Sequence, residues 1–202
     1  MPTGVAMRDV HEQLFDAAER VLLRDGPDAL TSRAVTGEAG CAKGVLHRHF
    51  ADFDAFLAEL VLDRIRRVDD QAAALRATAG SGTVTDNLVD ALTELFGSVA
   101  VAIVALVTFR SDLRPRLRRA GVTGATGVPV LADGQAMIAA YLSAERGLGR
   151  LMADADVDTL SLTLVGSAHV LFAGRERTPP RAAAVRKVVT AVMAGSTPGA
   201  RP

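Results

Sequence analysis

The chain has 202 residues, 49% of them hydrophobic, with 23 Lys and Arg balanced by 23 Asp and Glu. This length and apolarity suit one large or two small domains with a sizeable core and exclude global disorder; the zero net charge means that any affinity for nucleic acid must rest on local basic patches. The single cysteine, Cys41, excludes an internal disulfide and any multi-cysteine metal site and fits a reducing cytosol.

The first residues, MPTGVAMRDVHEQ, carry no hydrophobic stretch of the kind that directs secretion. Helix one is predicted from about Arg8 to Asp25, with Val10, Leu14, Ala17, Ala18, Val21 and Leu22 at helical spacing and charged residues between them. Gly26 is placed to end it in a left-handed conformation, and Pro27 follows. Two short helices are then predicted, Ser32 to Ala39 and Lys43 to His49, joined by a turn at Gly40-Cys41-Ala42. Val35, Ala39, Leu46 and Phe50 bury one side. Between Thr31 and Phe50 the charges are Arg33, Lys43 and Arg48 against Glu38, three minus one, or net +2. His47 and His49 add further donors. A short exposed helix rich in donors, propped by another short helix, has the shape needed to enter a major groove.

Asp52 is placed to cap helix four, which runs with Phe53, Phe56, Leu57, Leu60, Val61, Arg64 and Val68 on one side to about Ala79. Gly80-Ser81-Gly82 breaks it. A helix from Thr85 or Asp86 carries Leu88, Leu92, Leu95 and Phe96 on one face. The run Leu95 to Phe109 is uncharged and interrupted near Gly97-Ser98. Its length falls short of the ~20 residues that cross a bilayer, so it reads as buried helix, with no membrane partner. Ser111 to Ala120 is a short basic segment whose arginines, Arg114, Arg116, Arg118 and Arg119, read as a solvated face. Gly121 to Val128, GVTGATGV, reads as a flexible loop. Helices follow from Pro129 to Arg146, with Pro in the first turn, from Asp156 to Ala173, stopped by Gly174, and from Pro179-Pro180 to Ala194. The tail from Gly195 to Pro202 is predicted to be disordered. No strand pattern occurs, so the fold class is all-α, with nine or ten helices.

The stretch Gly26 to Phe50, GPDALTSRAVTGEAGCAKGVLHRHF, closely resembles the DNA-binding motif of the tetracycline-repressor (TetR) family of bacterial transcription regulators. Leu30-Thr31, Arg33, Val35, Ala39-Gly40, Lys43-Gly44, Leu46 and Arg48-His49-Phe50 carry the resemblance. It continues into the helices on either side, over about sixty residues. It implies a helix-turn-helix DNA-binding domain over residues 1–52, with the motif at 31–50, and a ligand-binding and dimerisation domain over 53–202. It also implies a cytoplasmic homodimeric repressor released from operator DNA by a small, largely apolar effector. The DNA-facing residues would be Thr31, Ser32, Arg33, Lys43, Gly44, Val45, His47, Arg48 and His49.

Several positions depart from the family pattern. Ala42 stands where a Ser or Thr caps the second short helix, which costs about 1 kcal/mol. Thr36 replaces a small Ala packed between the two helices, and Gly37 weakens its helix by about 1 kcal/mol relative to Ala. His47 replaces a Tyr that contacts phosphate, and Phe53 replaces a Lys with the same role. Cys41 reads as buried filler in the turn.

Beyond the motif, the apolar face Leu160, Leu164, Val165, Ala168, Leu171 and Phe172, with the stripe Val185, Val188, Val189 and Val192, predicts a homodimer through 156–173 and 180–194. A mostly apolar ligand pocket is expected between helix four, the Thr85–Phe109 region and the Pro129–Arg146 helix. Its expected walls are Phe96, Ile103, Phe109 and Tyr141, with His169 as a polar anchor. His47 and His49, two residues apart on a helix, point in different directions and make no metal pair. Gly166-Ser167-Ala168-His169 is not a nucleophile elbow, and Gly80-Ser81-Gly82 lacks the surroundings of a phosphate loop. No cofactor, metal or catalysis is expected. Two other readings stay open: a helical small-molecule-binding protein with weak or lost DNA binding, and a helical enzyme.

Overall fold

The computed structural model describes residues 4–97, 100–120, 128–173 and 180–198, with side chains from Val10 onward. Regular structure among these residues is entirely helical, as the periodicity predicts. The elements are α1 (Gly4–Asp25), a 3-10 turn (Pro27–Ala29), α2 (Ser32–Glu38), α3 (Gly44–His49), α4 (Phe53–Ala77), α5 (Val84–Gly97), α6 (Ala100–Phe109), α7 (Leu113–Arg119), α8 (Pro129–Gly147), α9 (Val157–Ala173) and α10 (Ala182–Met193). No single helix among the described residues is long and apolar enough to cross a membrane. The expected loop Gly121–Val128 falls, but for Val128, outside the described residues, as do the stop at Gly174 and the opening Pro179.

The chain forms two compact units, Met1–Asp63 with Ala102–Thr123, and Arg64–Val101 with Gly124–Pro202. A single cut after residue 52 does not describe them, because the first turns of α4 belong with the helices before it. The reason is aromatic packing: Phe56 lies 5.0 Å from Phe50 and 5.6 Å from Phe15 between ring centroids. Around these rings, α1 buries the predicted stripe of Leu14, Ala17, Ala18, Val21 and Leu22, and α4 buries Leu57, Leu60 and Val61. Gly26 ends α1 at φ 81°, with its N–H donating to the Leu22 carbonyl at 3.0 Å. A side chain there would be strained, which is why glycine serves.

In the second unit α8 packs on α9, α9 on α10, and α5 on α8, α9 and α10. Leu88, Leu92, Leu95, Ile138, Leu142, Leu164 and Val189 are among its most deeply buried apolar side chains. Gly134 lets α8 approach α5, since a Cβ there would lie 2.8 Å from Leu95 Cδ2. The core also encloses a charged network. Glu145 is wholly buried, and Arg150 Nη1 lies 3.3 Å from its Oε2. Tyr141 donates to Glu145 Oε1 at 2.6 Å and accepts from Asn87 Nδ2 at 2.9 Å. Gly80 N–H approaches both carboxylate oxygens at 3.4 Å, and Arg150 also donates to the Gly82 carbonyl. The α4–α5 turn is thereby tied to the end of α8.

The tail is more ordered than its composition suggests. Ser196 N–H donates to Met193 O at 3.0 Å, and Ser196 O accepts from Met152 N–H at 2.8 Å. Residues 199–202 lie outside the described set.

Candidate nucleic-acid interface

Thr31 starts α2 as its N-cap, with an extended backbone and its Oγ1 accepting from Ala34 N–H at 3.2 Å. The other end of α2 is pinned to α1. Glu38 accepts from Arg20 and Arg24, each at 2.8 Å, and these bonds, Arg24's first, hold its carboxyl below the usual range. Gln13 Nε2 donates to Ala39 O at 2.9 Å. Thr36 is buried, yet its hydroxyl donates to Ser32 O at 2.9 Å, so the departure from alanine leaves no polar group unsatisfied. Gly40 then turns the chain at φ 67°, and Cys41 N–H donates back to Thr36 O at 3.0 Å.

The helix that follows, α3, has no side-chain cap, as Ala42 foretells. Replacing Ala42 with Ser should place an acceptor near Val45 N–H and stabilise the chain by about 0.5–1 kcal/mol. A rise in thermal midpoint checks it. Leu46 is fully buried and anchors the helix. Around that anchor Lys43, Gly44, His47 and Arg48 are exposed and Val45 half-buried. Thr31 and Arg33 are exposed beside them in sequence, and Ser32 is half-buried. His49 is turned partly inward. Its ring meets the His11 ring edge-on at 5.4 Å, and His11 lies 4.5 Å from the Phe50 ring.

Three features escape sequence reasoning. Cys41 is half-exposed rather than buried filler. With Val10, Gln13, Val45, Arg48 and His49 it lines a groove of about 450 Å³. Arg116 is no solvated side chain, for it reaches Asp52 at 3.2 Å and Asp54 at 3.8 Å. Arg110 lies 3.6 Å from Asp54, donates to Leu30 O at 3.4 Å and stacks 5.9 Å from the Phe53 ring centroid. Phe53 thus supports a guanidinium beside Asp54. Asp52 caps α4 as expected, Oδ1 accepting from Ala55 N–H at 2.6 Å. That bond, and then Arg116, lower its pKa.

The expected pocket walls lie in different surroundings. Phe96 and Ile103 are core side chains, and Phe109 is 60% exposed. Tyr141 is buried with its hydroxyl fully engaged in the Glu145 network. His169 is half-buried with its ring 6.0 Å from that of Phe96, and burial lowers its pKa. A groove of about 150 Å³ does lie among α4, α5 and α8, but Gln71, Leu75, Asn87, Asp90, Glu94 and Met137 are among its lining residues.

Residues 14–60 match the model of the bacterial regulatory proteins of the tetR family. No curated protein sequence matches the chain. Among solved structures, the fatty acid degradation regulator FadR from Bacillus halodurans is 17% identical, with a TM-score of 0.68 over 92% of this chain and 95% of that one. The ketosteroid transcriptional regulator of Mycobacterium tuberculosis is 18% identical, with a TM-score of 0.63 over 93% and 94%. A multidrug binding protein, EbrR, complexed with imidazole is 20% identical, with a TM-score of 0.56 over 90% and 93%. At these identities the structural likeness establishes the fold along nearly the whole chain.

Proposed function

We propose that this chain, a tetR-family regulator by its residues 14–60 and by its fold, is a homodimeric transcriptional repressor that leaves its operator when a small molecule binds. The observation that carries the reading is α3, a six-residue helix held by the buried Leu46 and presenting Lys43, His47 and Arg48 to solvent. In this reading Lys43 and Arg48 contact phosphate and guanine edges, and His47 donates to phosphate. Gly44 and Val45 lie against the groove wall. Thr31, Ser32 and Arg33 hold the flanking backbone, and His49 stands at the edge.

Two reading heads are needed, spaced about 34 Å apart or more, to engage successive turns of B-DNA. The dimer face we assign is the outward side of α9, with α10 beside it. Of the apolar residues first expected there, Leu164, Val165, Ala168 and Phe172 are buried within the protomer. What α9 leaves outside is an uncharged stripe of Leu162, Gly166 and Val170, with Leu162 59% and Val170 71% exposed. Large apolar side chains in a row on a surface mark an interface, and on a two-fold axis the stripe meets its own copy. Val170→Glu should convert a dimer into a monomer at micromolar concentration in analytical ultracentrifugation. A variant that sediments like wild type would remove this face from the account.

Helix α4 contributes to both compact units, which makes it the natural lever between effector and DNA. Coupling is reciprocal: a ligand that favours one placement of the heads loses affinity when DNA favours another. The solved neighbours are a fatty acid degradation regulator, a ketosteroid regulator and a multidrug binding protein, in keeping with small-molecule control. Retardation of the DNA upstream of the chain's own gene tests the reading. Ligand binding without any DNA retardation would favour the helical small-molecule-binding protein instead.

A further inference from the structure

We infer that α7 is a second DNA-contacting surface, whose exposed arginines, Arg114, Arg118 and Arg119, bind backbone phosphates beside the groove that α3 enters. This deepens the regulatory reading, on which it rests. The first observation is the charge of the unit that holds the helix-turn-helix. Residues 1–63 carry six Lys and Arg against eleven Asp and Glu, net −5. That excess repels a polyanion, and the local +2 between Thr31 and Phe50 is set within it. The rest of the same compact unit, Ala102–Thr123, carries five Arg against one Asp, net +4. All five arginines fall between Arg110 and Arg119, on α7 and at its entry.

The second observation is where the fold fixes these arginines. Leu113 and Leu117 are buried and seat α7 on the unit. Arg116 reaches Asp52 at 3.2 Å, and Arg110 donates to Leu30 O at 3.4 Å. The two anchors flank the motif, for Leu30 precedes the cap of α2 and Asp52 follows α3. Asp52 lies four residues beyond Arg48, which is on the order of 14 Å of chain at most. One turn of B-DNA spans about 34 Å, so a duplex seated on α3 has further phosphates within reach of α7. Arg114, Arg118 and Arg119 are exposed and have no ion-pair or hydrogen-bond partner among the described residues. Arg114 and Arg118, at i and i+4, are neighbours on the helix surface, where like charges repel; an anion between them relieves both. A guanidinium fork matches two phosphate oxygens at once. Such contacts add affinity without base preference, because the backbone is the same at every step.

The test is fluorescence anisotropy of a mixed-sequence duplex of about 40 base pairs, long enough for two half-sites, titrated with full-length protein over a series of salt concentrations. In Arg114→Gln/Arg118→Gln/Arg119→Gln, affinity at low salt should fall about tenfold or more, and the slope of log affinity against log salt should drop by about 2 or more per dimer. The same three positions changed to Lys keep the charge and should keep most of the slope. A charge-matched control in the other compact unit, Arg76→Gln/Arg181→Gln/Lys187→Gln, at exposed positions, should keep the wild-type slope. Sequences selected from a random library should be the same for wild type and the Arg114/Arg118/Arg119 variant, since phosphate contacts carry no base readout. A wild-type slope in that variant, or an equal drop in the control, would overturn the inference and leave the regulatory reading standing. Release of the variant from phosphatidylglycerol vesicles that hold the wild type, with the duplex slope unchanged, would assign α7 to a lipid surface and also overturn it. Failure of the wild type to bind any duplex would sink the regulatory reading and this inference together.

Discussion

Replacing Lys43 and Arg48 together with alanine is expected to weaken operator binding by about 30-fold to 10⁴-fold while leaving the thermal midpoint nearly unchanged. Each well-placed contact to a base edge contributes about 1–3 kcal/mol, and two of them sum to ~2–6 kcal/mol. Both side chains are exposed on α3, and the helix is anchored by Leu46 instead. Exposed substitutions away from caps and buried networks move stability by about 0.5 kcal/mol or less. The loss should therefore appear in fluorescence anisotropy and not in thermal unfolding. Wild-type affinity in the double variant would remove α3 from the DNA interface. Arg116→Ala should leave α3 intact but free Asp52 and Asp54 of a partner, giving a smaller loss.

The second large effect lies far from α3 in sequence. Glu145→Ala should destabilise the unit that contains α8 by about 3–5 kcal/mol, because it leaves Arg150 without its buried counter-charge and Tyr141 without its acceptor. A domain has only about 5–15 kcal/mol in hand, so the thermal midpoint should fall by many degrees. Glu145→Gln keeps an acceptor for the Tyr141 hydroxyl and should cost less than Ala. A midpoint in Glu145→Ala within a degree of wild type would show that the network is dispensable.

Legibility in the sequence followed the range of the interactions. The predicted bounds of α2 and α3 fall within a residue of those observed, and Gly26 and Asp52 take the turn and cap roles assigned to them. These are local devices: a side-chain oxygen three residues from an N–H, a glycine after a helix, a stripe at 3.6-residue spacing. That α3 is a short exposed helix was legible for the same reason. Long-range partners were not. Nothing near Tyr141 foretells Asn87, 54 residues away, and nothing near Arg116 foretells Asp52, 64 residues away. Without such partners Tyr141 reads as an aromatic wall and Arg116 as a solvated charge. On α9, where apolar residues fall on more than one side, spacing alone cannot separate the side packed in the protomer from the side left open; burial does so by covering Leu164 and exposing Leu162. The groove among α4, α5 and α8 is lined partly by Asp90 and Glu94, which read as ordinary surface residues until the three helices are set together.

The most direct test of a DNA-reading regulator is selection of duplexes from a random-sequence library by the full-length protein, followed by measurement of affinity against salt concentration. The account predicts enrichment of a two-fold symmetric site whose half-sites lie about one helical turn apart, or further. It also predicts log affinity falling linearly with log salt, at about 0.9 per phosphate neutralised, with both enrichment and slope reduced in Lys43→Ala/Arg48→Ala. A library that emerges without enrichment, bound no better than bulk DNA by wild type and variant alike, would contradict it.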